Sequence, residues 1–232
     1  MNNSIYNIAL LDLLWIFIPI SIVIALYIRW TEDKSTIFYA LFRMLVQLLL
    51  IGYVLTYLFE ADSSLLVVGV LCVMLVFASI ISLRPLAKKE KPLYLYAFIA
   101  IVVGGVFTLF IVVLGVLKLQ VWYEPKFLIP LAGMIFANSM NAVSIAAERF
   151  ESVADTLPYK EARAISYKAS LIPIINALFA VGLVSLPGMM TGQILSGIDP
   201  LIAVRYQMMV MLMILGSAGI SVAIYLLFLK SK

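Results

Sequence analysis

Apolar residues run almost unbroken through seven stretches of the chain, near 11–29, 37–59, 64–83, 93–117, 127–147, 169–195 and 203–229. Each is close to or beyond the roughly 20 residues that a helix needs to cross a hydrocarbon layer about 30 Å thick. Polar or turn residues separate them: Arg29 to Lys34, Glu60 to Ser64, Arg84 to Pro92, Lys118 to Lys126, Glu148 to Lys168 and Gly197 to Pro200. Inside lipid a segment must satisfy its own backbone hydrogen bonds, which selects helices. The pattern predicts an all-α, polytopic membrane helix bundle of about seven transmembrane helices, organised as one domain over residues 1–232.

The connecting segments alternate in charge. One set carries Arg29 and Lys34, then Arg84, Lys88, Lys89 and Lys91, then Arg149, Lys160, Arg163 and Lys168, then Lys230 and Lys232. The other carries only Lys118, Lys126 and Arg205, while Arg43 lies within a run. Lys and Arg accumulate on cytoplasmic loops. The expected topology has the N-terminus outside and the C-terminus in the cytoplasm, which an odd number of spans satisfies. Trp122 and Tyr123 suit the lipid–water boundary of the opposite side. Met1 to Asn7 carries no Lys or Arg, so the first run is expected to be a retained helix and not a cleaved signal peptide.

Composition removes several function classes. The chain is 65% hydrophobic and 12% charged, with a mean hydropathy of +1.14, far from the half-apolar, quarter-charged balance of soluble domains. Its net charge of +4 comes from residues flanking the apolar runs, so it gives no reason to expect a nucleic-acid partner. The single cysteine, Cys72, excludes an internal disulfide and reads as a small packing residue, and histidine is absent. There is no phosphate loop, no HExxH and no nucleophile elbow. No catalytic residue is expected, and any ATP and magnesium must be bound by another chain.

Few polar groups lie within the runs. Arg43 and Gln47 share a helix face in the second. They read either as a cavity-lining or gating pair or as an arginine near the cytoplasmic end reaching for lipid phosphates. Asn138 and Asn141, with Ser139 and Ser144 nearby, lie in the fifth run, where Gly133 and Ala137 would allow close helix packing. The amides either line a pathway or bond to a neighbouring helix. The sixth run holds Asn176, Pro173, Pro187-Gly188 and Gly192. Proline removes a backbone donor and glycine frees φ, so a helix break is expected at Pro187, Gly188 and Gly192, of the kind transporters use at moving elements. The clustered methionines, Met189, Met190, Met208, Met209, Met211 and Met213, are either soft metal ligands or flexible core filling. The mixed-charge stretch 148–168 reads as a cytoplasmic helix or helix pair, either a solvated connector or a docking element.

Four segments carry a resemblance: RMLVQLLLIGYVL (Arg43 to Leu55), PLAGMIFANSMNAV (Pro130 to Val143), LIPIIN (Leu171 to Asn176) and GLVSLPGMMTGQILSGIDPLIAVRYQ (Gly182 to Gln207). In these and in span order the chain resembles the FetB family of ABC-transporter membrane subunits, grouped with plant aluminium-sensitivity transporters. The resemblance implies a permease in the bacterial cell membrane, homodimeric, surrounded by lipid and joined to a separate cytoplasmic ABC ATPase. It implies export of iron or a related metal ion or complex. Lys160, Glu161, Ala162 and Arg163 resemble the family's ATPase-facing loop, without the glycine found in import permeases. Arg43, Gln47, Asn138, Asn141 and Asn176 are the expected pathway residues. The alternative is an autonomous ion-coupled carrier or channel. Such carriers usually hold an acidic residue at membrane depth, and here Asp and Glu lie at span edges or in loops. An intramembrane enzyme would need a nucleophile–base pair that the chain does not display.

Overall fold

The structure, a computed structural model, describes residues 9, 11–60 and 63–231. They fall into two compact units, Met1–Ala61 and Asp62–Lys232. The first holds a short 3-10 turn at Asp12–Ile16, α1 (Phe17–Thr31) and α2 (Ser35–Glu60). Glu32, with φ 58°, ends α1 in the left-handed conformation, a common helix stop. Asp33 then starts α2. Its Oδ1 accepts the backbone N–H groups of Ser35 at 3.0 Å and Thr36 at 3.1 Å, satisfying donors that a helix start leaves open. Hydrogen bonds from Thr36 first, then from Ser35, outweigh desolvation and hold the Asp33 carboxyl down at about 2. Apart from Leu58, the described residues of α1 and α2 are half-buried or exposed within this unit.

The second unit contains α3 (Ser64–Ser82), α4 (Lys91–Phe110) continued by a π-helical turn at Ile111–Val116, α5 (Pro125–Val153), α6 (Tyr159–Ala180), α7 (Gly188–Leu195) and α8 (Pro200–Phe228). Prolines open α4, α5 and α8 in the first turn, where their missing N–H costs nothing. Asp199 caps α8 by accepting the Leu201 N–H at 2.8 Å. α8 is apolar on all sides and packs against α4, α5, α6 and α7; a helix of that kind belongs in the middle of a bundle.

Small residues set the tightest seam. A Cβ added to Gly104 of α4 would lie 2.8 Å from the Ser221 nitrogen and 2.9 Å from the Ser217 oxygen of α8. At Gly105 it would lie 2.9 Å from the Phe136 ring of α5. In lipid, helices associate by close van der Waals contact, since water exclusion offers little between them. Ala97, Ala100, Ala132, Ala142, Ala146 and Ala218 are buried in the same core.

Among the described residues six helices are long and apolar enough to cross a membrane, and α6 with α7 is not among them. The expected sixth run, 169–195, is divided. α6 starts ten residues earlier, at Tyr159, and the chain leaves the helix over 181–187. The expected cytoplasmic helix pair at 148–168 proves to be the end of α5 and the start of α6 around a short turn. Two contacts fix the direction of travel: the Tyr159 hydroxyl donates to the Leu226 carbonyl at 2.8 Å, and Tyr96 stacks on Phe228 at 5.1 Å. The starts of α4 and α6 therefore lie beside the end of α8.

Gly104→Ala should lower the thermal unfolding midpoint in detergent, through about 1–3 kcal/mol of overpacking. Gly69→Ala should not, because nothing lies within 4 Å of the added Cβ. Equal midpoints for the two variants would contradict the seam.

Candidate functional site

The helix break closes on itself. The Ala180 carbonyl accepts N–H groups from Leu183, Val184 and Ser185 at 3.2, 2.8 and 3.2 Å, and Gly182 donates to Ser185 at 3.0 Å. Gly182 turns the chain with φ 83°, a conformation that glycine adopts without strain. Leu183, Val184 and Leu186 stand outward at 89%, 84% and 61% exposure. Pro187 then precedes α7, whose N-terminal end starts afresh at Gly188. Pro187 and Gly188 thus do not kink a continuous helix; they begin a second, short one. Nothing in the described chain lies within 4 Å of a Cβ built on Gly188 or Gly192.

The uncovered faces of the bundle differ in chemistry. On α3 and α4 they show large apolar groups, including Leu65, Val73, Phe77, Leu95, Phe107 and Phe110, as lipid contact requires. On α5 the exposed residues Pro130, Ala137, Asn141 and Glu148 fall on one helical stripe, flanked by half-buried Gly133, Asn138 and Ser144. The same stripe also carries exposed Phe127 and half-buried Met134 and Ile145, so the face is mixed, with a small and polar middle at Ala137, Asn138, Asn141 and Ser144. Asn138 is satisfied in part by its own helix, its Nδ2 donating to the Met134 carbonyl at 2.8 Å. Asn141 has no such bond and is exposed, as is Asn176 on α6, the helix that packs beside α5. An amide side chain facing hydrocarbon alone is unfavourable, which sets Asn141 and Asn176 apart from the exposed apolar residues around them, such as Ile172 and Phe179.

The remaining expected site residues are dispersed. In the first unit Arg43 is half-buried and Gln47 exposed on α2. Met208 is exposed and Met213 buried on α8, so the methionines do not converge on one face. Among the described residues no three Cys, Asp or Glu side chains gather as a metal ligand set. An apolar crevice of about 510 Å³ opens between α3, α4 and α5, lined by Leu71, Cys72, Val106, Leu109 and Phe136 among others. Its lining holds no carboxylate, amide or hydroxyl, and Cys72 supplies its single thiol.

At the other end of interest, Lys160 and Glu161 are exposed on the first turn of α6, Arg163 is half-buried, and Ala162 is buried and seats the helix. Tyr159 binds this corner together. Its ring meets Phe150 of α5 edge-on at 6.1 Å, and the Arg163 guanidinium lies 5.6 Å from its centroid. The Glu151 carboxylate receives two consecutive backbone N–H groups from the α3–α4 loop, Ala87 and Lys88, both at 3.0 Å. The residues sequence reading passed over are Gly182, Glu151, Tyr159 and Gln207. Gln207 is buried on α8, its Oε1 without a partner, as are the Oγ atoms of Ser139 and Ser221. An amide next to Arg205 and Tyr206 at the start of a long apolar stretch was a readable signal for Gln207. Nothing in one dimension marks Glu151 among its charged neighbours.

The chain matches the uncharacterised protein family UPF0014 over residues 8–160 and 156–232. It is 32% identical to the UPF0014 membrane protein slr1647 of Synechocystis, over 93% of this chain and 90% of that protein. It is 34% identical to the probable iron export permease protein FetB of Escherichia coli, over 90% of this chain and 87% of that one. It is 27% identical to the protein ALUMINUM SENSITIVE 3 of Arabidopsis thaliana, over 86% and 79%. No solved structure matches it. A match that runs nearly the whole length, on a chain of stacked apolar helices, makes this a multi-pass membrane protein that belongs to the UPF0014 family.

Proposed function

We propose that the chain is the membrane permease of an ABC transporter that exports iron or a related metal species, driven by a separate cytoplasmic ATPase subunit. The uncovered face of α5 carries this reading: Ala137, Asn138, Asn141 and Ser144 form a small, polar strip on a helix whose neighbours present bulky apolar groups to lipid. Two copies of the chain set α5 to α5 would enclose that strip and Asn176 and give a polar substrate a path. The name carried by the Escherichia coli relative supports iron as cargo. In this reading α6 and α7 together make one interrupted passage, the sixth of seven, with the N-terminus outside and the C-terminus in the cytoplasm. The break at 181–187 is its hinge. Lys160, Glu161 and Arg163 meet the ATPase. Arg43 and Gln47 act as a gating pair on α2, and the arginine favours a cation escorted by an anionic chelator over a bare ion.

The decisive experiment uses inside-out vesicles holding the chain and its ATPase. Iron should accumulate when ATP is added and not when an ion gradient alone is imposed; the reverse result would make the chain an autonomous carrier. Asn141→Leu combined with Asn176→Leu should cut the initial rate on the order of tenfold, the equivalent of about 1.4 kcal/mol, with the amount of assembled complex unchanged. Arg43→Ala should weaken resistance of cells to metal stress at normal complex levels. An unaltered transport rate removes Arg43 from the mechanism.

A further inference from the structure

The crevice between α3, α4 and α5 is walled by hydrocarbon. Leu71, Leu75, Val106, Leu109 and Phe136 line it, and Cys72 adds one thiol. At about 510 Å³ it falls within the roughly 300–1,000 Å³ of pockets that take small organic molecules. An empty void of that size forfeits the dispersion contacts of its wall atoms. Water has no reason to fill it, because a buried water needs two or more polar partners.

Irregular backbone shapes one end of the crevice. α4 passes into the π-helical turn Ile111–Val116, which brings Val113 and Leu114 into the wall. Such turns are rare and recur at functional sites. The chain then folds back on this turn: the Leu117 and Leu119 amides donate to the Val112 and Val113 carbonyls at 2.9 and 3.2 Å. Trp122 joins the lining and meets Tyr123 edge-on at 5.5 Å. It is 47% exposed, so it stands at the rim. Tryptophan favours the boundary between hydrocarbon and lipid headgroups. α5 re-enters the lining at Leu128. The connecting stretch exposes Lys118 and Lys126, one on either side of Trp122 in the chain, against a single acid, half-buried Glu124.

We propose that this crevice holds one acyl chain of an anionic phospholipid, with Lys118 and Lys126 beside the headgroup. The lining accepts hydrocarbon and nothing polar; the lysines select among lipids. Water exclusion does not favour the site over the surrounding bilayer, since the tail exchanges one hydrocarbon medium for another. Retention therefore rests on contact with the walls and on the two cations. The proposal needs only that the chain lies in a membrane, and it stands or falls apart from the iron and ATPase reading.

The test uses the full chain in nanodiscs of equal parts phosphatidylglycerol and phosphatidylcholine. A photoreactive diazirine is placed in one acyl chain, carried by the phosphatidylglycerol in one preparation and by the phosphatidylcholine in the other. After irradiation, mass spectrometry locates the adducts. The phosphatidylglycerol probe should attach within 68–75 and 106–114. It should exceed the phosphatidylcholine probe there by about fivefold, roughly the effect of one lysine beside an anionic headgroup. Lys118→Ala with Lys126→Ala should bring that ratio close to one while the unfolding midpoint stays unchanged. Cys72 gives a second reading with no substitution: in detergent, added phosphatidylglycerol should slow its alkylation by N-ethylmaleimide more than phosphatidylcholine does. Equal labelling by both probes, or equal protection of Cys72 by both lipids, would make the crevice ordinary bilayer contact and overturn the proposal. A ratio unaltered in the double variant would overturn it as well. So would a crevice that neither probe reaches, since another stretch of protein then fills it.

Discussion

A backbone that crosses hydrocarbon must find partners for its own N–H and C=O groups, and most of this structure follows from that demand. Long helices meet it automatically. The break between α6 and α7 meets it in another way. One carbonyl, that of Ala180, gathers three amides, and Gly182 bonds back to Ser185. The turn thereby hides its polar backbone while its side chains, Leu183, Val184 and Leu186, stay apolar and outward. A segment of this kind can interrupt a helical passage without a buried water to complete it.

The same scarcity of hydrogen-bond partners gives the side chains their meaning. Serines and threonines in the helices mostly bond to carbonyls of their own preceding turn, as Ser79, Thr108 and Ser166 do. They are small packing groups with their polarity neutralised; the Oγ atoms of Ser139 and Ser221 are exceptions, and the close approach of α4 and α8 rests on Gly104. Asn141 and Asn176 have no such escape. Their exposure on α5 and α6 contrasts with the large apolar groups that the uncovered faces of α3 and α4 present.

At the basic end of the second unit, long-range polar contacts replace helix packing. Tyr159 joins α5, α6 and α8, and Glu151 joins α5 to the α3–α4 loop. These contacts tie together the ends of five helices, well away from the break at 181–187 that follows α6.

The sequence by itself determined the solvent, the helices and most of their limits, because hydrophobic runs of about 20 residues have only one stable form in lipid. The irregularity of 169–195 was visible in Pro187 and Gly188, whereas Pro200, read as part of a turn, proves to open α8 behind its cap Asp199. Only the tertiary structure decided that the break centres on Gly182, that α6 begins at Tyr159, and which face of α5 stays uncovered. Hydropathy cannot decide these, since an apolar helix such as α8 looks alike on every side and burial depends on which neighbours arrive. Glu151 shows the limit most clearly: one carboxylate among eight charged residues becomes a clasp only when the fold brings the amides of Ala87 and Lys88 to within 3.0 Å.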